Sequence, residues 1–218
     1  MPTLSFDVLR HGETTGGAGV YIGRTDWPLS TQGWQQMDAA LQAHTAQYTQ
    51  VITSPLQRCA AFANAYAKAN HLEIHTQADW QEYAFGLWEG RSGADLYAQY
   101  PQALSDFWQD PIRYPPPEAE HLPAFGTRIA NALSRLIHQN LTHSLVVTHA
   151  GVIRVLLCWA QGQSLHHLLS FNVPFAALYQ VHITWAHPQD LDDITTRCQI
   201  HMQASSFTQE KISQAACG

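Results

Sequence analysis

Two short segments of this chain pair a histidine with the residues a phosphate or another compact oxyanion would need. Arg10-His11-Gly12-Glu13-Thr14 sets a guanidinium directly before a histidine and a glycine directly after it. Arginine presents a planar fork of donors that matches tetrahedral oxyanions, and glycine lets the backbone come close to a ligand. Thr148-His149-Ala150-Gly151 repeats the arrangement, with the apolar run Leu145-Val146-Val147 delivering a histidine onto a turn that opens a helix. The free N–H groups of a helix N-terminus favour an anion. Taken singly, either histidine reads equally as a capping or packed residue. Arg58, in Ser54-Pro55-Leu56-Gln57-Arg58, reads alone as a solvated surface arginine or as a further phosphate ligand. Glu82 lies in an aromatic and glycine-rich stretch, Gln81 to Gly90, where a buried carboxyl could serve as a general acid. The other eleven of the thirteen histidines show no HxH or HExxH spacing, so no metal-ligand role and no cofactor is assigned.

The elements that must carry these residues alternate in type. Leu4–Leu9 reads as a short buried strand, followed by a glycine-rich loop from Gly12 to Gly23 that suits closure around a small ligand. Ser30 or Thr31 can cap a helix over about 32–47, weakened slightly by Gly33. Val51–Thr53 is a second strand, and Pro55 with Ser54 as cap opens a helix to about Asn70. A third strand is expected over 72–76, and short helices over 92–100 and 104–109, separated by Pro101. A longer helix is expected over about 124–140, then the strand Leu145–Thr148, a helix over 151–160, and strands over 174–182 and 199–203. The stretch 110–123 carries Pro111, Pro115, Pro116, Pro117 and Pro123 and reads as a stiff lid or insertion. This alternation predicts a single α/β domain, a three-layer αβα sandwich with a mostly parallel sheet, over 1–205, with a loosely held polar tail over 206–218. In such folds the site lies where loops leave the carboxyl ends of strands, and both histidine motifs fall there.

Composition narrows the partners. A net charge of -6 argues against a general nucleic-acid or membrane-surface binder, though a few arginines in a cleft can still hold an anion. No apolar stretch is long enough to span a bilayer, and the start of the chain shows no basic region followed by an apolar run, so no signal peptide is expected. Cys59, Cys158, Cys198 and Cys217 are widely spaced without a CxxC pair, the pattern of reduced thiols in a cytoplasmic protein. A small anionic molecule is the partner this composition leaves open.

Together, Arg10-His11-Gly12-Glu13-Thr14, Ser54-Pro55-Leu56-x-Arg58 and Thr148-His149-Ala150-Gly151, in this order, resemble the histidine phosphatase (phosphoglycerate mutase-like) superfamily over about residues 4–182. The resemblance implies a small-molecule phosphomonoester as partner, and His11 as a nucleophile forming phosphohistidine without a metal. It implies further that Arg10, Arg58 and His149 form the phosphate pocket, and that Glu82 protonates the leaving oxygen. His149 is expected to be protonated when phosphate is bound. Where many members carry Asn six residues after the nucleophile, this chain has Gly17, so loop N–H groups are expected to meet the phosphate instead. Within the family, Phe85-Gly86-Leu87-Trp88-Glu89-Gly90-Arg91-Ser92 and the Asp110–Glu118 stretch are most similar to the alpha-ribazole phosphatases of cobalamin synthesis. That likeness implies removal of the 5′-phosphate of alpha-ribazole phosphate or of the cobalamin precursor carrying it, with Trp80, Trp88, Trp108, Tyr83 and Tyr114 as candidates to stack on the base. Of the usual Gly-Glu-Ser after the prolines only Glu120 is kept. A broad sugar-phosphate or fructose-2,6-bisphosphate phosphatase, a phosphoglycerate mutase, and an inactive phosphate-binding scaffold are the alternatives.

Overall fold

Strands β1 (Thr3–Arg10) and β4 (Ser144–Thr148) are buried on both faces, which is why they read as nearly unbroken apolar runs. In a computed structural model that describes residues 1–216, they pair side by side in parallel at the centre of one six-stranded sheet. The sheet order is β3-β2-β4-β1-β5-β6, with β2 (Gln50–Thr53), β3 (Glu73–Thr76), β5 (Leu178–Thr184) and β6 (Gln199–Ala204). β3, β2, β4 and β1 are parallel neighbours, whereas β5 runs antiparallel to both β1 and β6. The expected mostly parallel sheet therefore carries one reversed strand.

Alternate residues of the central strands enter two separate cores. Val8, Ile52 and Val146 pack with helices α5 (Leu122–His138) and α6 (Ala150–Ala160) on one face. Leu9, Val51, Leu145 and Val147 pack with α1 (Thr31–Gln42) and α2 (Gln57–Ala69) on the other. These are the outer layers of the αβα sandwich. Two short helices, α3 (Gly93–Gln99) and α4 (Pro101–Gln109), bring Leu96, Leu104 and Phe107 onto Trp88 in a small third cluster. Pro101 begins α4 at its first helical position, where its missing N–H costs nothing.

Several boundaries differ from the sequence reading for local reasons. α1 stops at Gln42 because the chain beyond it turns inward: His44 Nε2 and Tyr48 OH both donate to Asp7 Oδ2 at 2.7 Å. Asp7 is a buried carboxylate on a central strand and requires such partners. β5 begins at Leu178 and not near Pro174, because Ala176 adopts φ +57°, outside any strand conformation. A short helix α7 (Ile194–Arg197) had no clear periodic signal. Gly33 weakens α1 only on paper. A Cβ there would lie 2.0 Å from Glu13 O, so the glycine lets the helix start pack against the loop after β1.

The polar tail expected from residue 206 is helical as far as Ala216. Residues Ser206–Ala216 form α8, anchored by Thr208, whose hydroxyl accepts from Leu178 N at 2.8 Å and donates to Leu178 O at 3.1 Å. Phe207 joins the core beneath α1 and α2. The tail's polar composition hid this because two inward residues suffice to hold it. Cys59, Cys158 and Cys198 carry free thiols, and Cys217 lies outside the described residues. Among the described residues, no helix is long and apolar enough to cross a membrane. Thr208→Val should leave the buried Leu178 N–H unpaired and lower stability by about 1–3 kcal/mol. Urea denaturation checks this, and an unchanged midpoint would show that α8 is not anchored through Thr208.

Candidate active site

The parallel register of β1 and β4 sets Arg10 opposite Thr148, so the residues that follow, His11 and His149, leave the sheet together. A backbone bond from His11 N to Thr148 O at 2.9 Å closes the pair. The rings lie edge to face with centroids 5.3 Å apart. Both are buried, at the carboxyl ends of their strands, where the topology rule placed them.

The His11 ring is fixed from one side. Its Nδ1 meets Gly12 O at 2.7 Å, and a carbonyl only accepts, so Nδ1 carries the proton and Nε2 keeps its lone pair. Burial, then the positive charges of Arg10 and Arg58, hold the His11 pKa well below the ordinary histidine value. Gly12 is required by packing, since a Cβ there would meet Gly33 O at 2.1 Å.

Arg58 is wholly buried, and its donors run to Gly23 O at 2.6 Å, Thr25 O at 2.8 Å and His149 Nδ1 at 3.3 Å. It thus ties the glycine-rich loop to the second histidine. His149 Nδ1 accepts from Arg58, so its Nε2 carries the proton and donates to Ser54 Oγ at 2.7 Å. Burial, with the charge of Arg58, lowers the His149 pKa well below its ordinary value. In this arrangement His149 is neutral, with both nitrogens engaged by protein. Ser54, read from sequence as a helix cap, is the residue that orients it.

Arg10 donates to Val173 O and lies over the Phe175 ring, 4.1 Å from its centroid. Its Nε is buried without a protein partner, a donor that an oxyanion in the cleft would satisfy. Burial, then the neighbouring Arg154, lowers its pKa to about 9, so it stays cationic at neutral pH.

Glu82 approaches from the opposite side. Its Oε2 accepts from Gly151 N at 3.1 Å, at the first turn of α6, and its Oε1 accepts from Tyr83 N at 2.9 Å. A Cβ on Gly151 would sit 2.1 Å from Glu82 Oε1. The glycine of the second histidine motif is therefore the space that admits the carboxylate.

Arg10, His11, Arg58 and Glu82 line one cavity of about 360 Å³. His149, expected in the phosphate pocket, is not among the lining residues and connects through Arg58 to the cavity. Gly17 does not reach it: its N–H is spent on Thr14 O at 3.1 Å in a turn with φ +79°. The loop edge of the cavity is Gly19 to Gly23 instead.

The rest of the wall is aromatic and differs in part from the set expected. Tyr83 and Trp108 line the cavity, whereas Trp80 and Trp88 are packed in core clusters and Tyr114 stands outside. Tyr21, Phe85, Phe107 and Phe125 complete the wall, with Trp108 Nε1 donating to Tyr21 OH at 3.1 Å. Only folding brings these scattered rings together. Arg154 was also missed. It lines the cavity, its Nε donating to Phe171 O at 3.0 Å. The available signal was a lone arginine in the apolar run from Val152 to Leu157.

An α/β sandwich that gathers two histidines, two arginines and a carboxylate at the strand ends defines a site for phosphoryl chemistry. Comparison with known proteins agrees: residues 7–190 match the model of the Histidine phosphatase superfamily (branch 1), and the chain belongs to that family. It is 29% identical over 172 residues to the adenosylcobalamin/alpha-ribazole phosphatase of Escherichia coli strain K12, covering 76% of this chain and 83% of that protein. It is 24% identical over 181 residues to a 2,3-bisphosphoglycerate-dependent phosphoglycerate mutase of Rhizobium etli, covering 78% and 86%. The crystal structure of the alpha-ribazole phosphatase from Shigella flexneri superposes with a TM-score of 0.73 at 23% identity, covering 94% of this chain and 98% of that one.

Two histidines kept neutral by burial make the fold acid-sensitive. Unfolding frees both to take up protons below about pH 6.5, whereas the folded protein does not bind them until the pH is much lower. Stability should therefore fall as pH drops below about 6.5, by up to about 1.4 kcal/mol per pH unit for each ring. Urea midpoints at pH 7 and 5.5 test this, and equal stability at the two values would contradict the neutral assignment.

Proposed function

We propose that this histidine phosphatase superfamily protein is a metal-independent phosphomonoesterase that works through phosphohistidine at His11. The observation that carries the reading is the His11 ring, held neutral by burial and guanidinium charge while its Nδ1–H donates to Gly12 O. Such a ring keeps a free Nε2 lone pair near neutral pH. In the first step Nε2 attacks phosphorus and the bond to the leaving oxygen breaks, while Glu82 donates the proton that turns the alkoxide into an alcohol. In the second step Glu82 takes a proton from water, the hydroxide oxygen bonds to phosphorus, and the N–P bond breaks to release phosphate. Arg10 and Arg58 offset the charge on the phosphoryl oxygens throughout. For His149 to complete the pocket as a cation, a phosphoryl dianion would have to offset the burial and the Arg58 charge that hold it neutral, and Nδ1 would have to leave the Arg58 donor and turn to the phosphate.

The favoured substrate is alpha-ribazole 5′-phosphate. A leaving group with a flat aromatic base suits a wall of Tyr21, Tyr83, Phe85, Phe107 and Trp108, since such rings stack or meet edge to face. The stretch expected as a lid over 110–123 ends at His121, since α5 takes in Leu122 and Pro123, and this shorter stretch would act as a lid because Pro111 borders the cavity. One observation favours a second reading. Arg154 offers charge beyond what one phosphoryl group needs, which suits a leaving group bearing its own carboxylate or phosphate.

His11→Ala should abolish turnover, and EDTA should leave the wild-type rate unchanged. Residual phosphatase activity in the variant, or a loss in EDTA restored by added metal, would refute the mechanism. Phosphate release from alpha-ribazole 5′-phosphate, 3-phosphoglycerate and fructose 2,6-bisphosphate then decides the substrate. A preference in kcat/KM for alpha-ribazole phosphate supports the aromatic reading, and a preference for either substrate that carries a second anionic group supports the Arg154 reading.

A further inference from the structure

Glu82 sits on irregular chain, between a single 3-10 turn at Ala78–Trp80 and another at Gly86–Trp88. A carboxylate on such a segment has no helix or strand to hold its direction. The strand ends supply two tethers nearby: Gln77 N donates to Thr53 O at 2.9 Å, and Thr148 Oγ1 donates to Trp80 O at 2.7 Å. Neither touches Glu82 itself.

One side chain does reach it. From α5, Arg128 Nη1 donates to Asp79 O at 2.7 Å and to Gln81 O at 2.8 Å, and Nη2 donates to Glu82 O at 2.9 Å. Nε and Nη2 bind the Glu120 carboxylate in a two-pronged pair, at 2.7 and 3.0 Å. The guanidinium also lies over the Phe125 ring, 4.5 Å from its centroid, and Phe125 lines the cavity. Glu120 in turn accepts from Ala84 N at 3.4 Å and from Arg24 Nη2 at 3.1 Å. Three carbonyls of the acid-bearing segment, the proline-rich stretch and the end of the glycine-rich loop thus meet on one ion pair. A lysine could satisfy only part of this fork, since its three donors radiate from one nitrogen.

We propose that Arg128 is the positioning residue for the acid–base step: it clamps the backbone of residues 79–82 so that the Glu82 carboxylate is held against Gly151 N, facing the phosphoryl site. Arg128 does not line the cavity, and its part in the acid–base step runs through Glu82. The inference rests on the acid–base reading of Glu82 given above. It goes further by naming what fixes the geometry, where a 1 Å error is costly.

The test compares Glu82→Gln, Arg128→Met, Arg128→Lys and the double variant Glu82→Gln/Arg128→Met. The substrates are glycerol 2-phosphate, whose alkoxide needs a proton, and para-nitrophenyl phosphate, whose phenolate hardly does. Arg128→Met is expected to cut kcat on glycerol 2-phosphate at least about 30-fold, and on para-nitrophenyl phosphate less than about 3-fold. Arg128→Lys should recover part of that loss. In the Glu82→Gln background, Arg128→Met should add less than about 3-fold on either substrate, because the clamp acts only through the group already removed. Equal losses on the two substrates, or losses that multiply in full in the double variant, overturn the clamp while the selective loss in Glu82→Gln keeps the acid in place. If Glu82→Gln itself loses both substrates equally, the acid reading falls and the clamp falls with it. Should Arg128→Met fail to fold, Glu120→Gln carries the same comparison: a smaller but still glycerol-selective loss supports the clamp, and an unselective one refutes it.

Discussion

A single backbone hydrogen bond, His11 N to Thr148 O, marks the constraint on which the rest of this site depends. It extends the parallel β1–β4 ladder one step past the strands, so that two histidines 138 positions apart along the chain emerge at the same level. A one-residue slip would turn every side chain of either strand to the other face. That slip is prevented by the two cores, which demand Val8 and Val146 on one side and Leu9, Leu145 and Val147 on the other. Hydrophobic burial, a non-directional force, thereby sets the placement of groups whose chemistry depends on direction.

Electrostatics oppose this construction. Two arginines and two histidines share a buried site with Arg154 nearby, and the carboxylate that faces them is Glu82. The protein relieves the strain in two ways. The histidines stay neutral, each with its proton directed by a hydrogen bond. The arginines spend donors on backbone carbonyls, Arg58 on Gly23 and Thr25, Arg10 on Val173. What remains is the unpartnered Nε of Arg10, a donor that a phosphoryl dianion would satisfy. Sites of this kind are assembled at a cost in stability and recover it when an anion binds.

Glycines decide how closely the parts can approach. Gly12 and Gly33 let α1 press on the first histidine loop, and Gly151 leaves room for the Glu82 carboxylate at the start of α6. Each stands where a methyl group would strike a backbone atom or the carboxylate itself. The glycine of the Thr148–Gly151 motif is therefore linked to an acid nearly seventy residues earlier, a connection that spacing along the chain does not reveal.

The sequence by itself determined the α/β class and the strands that carry the histidines, because these depend on local periodicity, whereas the grouping of Arg10, His11, Arg58, Glu82 and His149 was what the family resemblance of its motifs implied. Periodicity is a property of neighbours in the chain, so it survives reading one residue at a time. Tertiary structure alone decided which aromatic rings form the cavity wall: Tyr21 and Phe107 join it, while Trp80 and Trp88 are absorbed into the cores. It also decided that Ser54 orients His149, that α8 is anchored through Thr208, and that Arg128 grips three carbonyls on a segment some fifty residues away. Those contacts join residues distant in sequence whose types suit many other roles. A guanidinium, a hydroxyl or an aromatic ring acquires its particular partner only when packing fixes the distance between them.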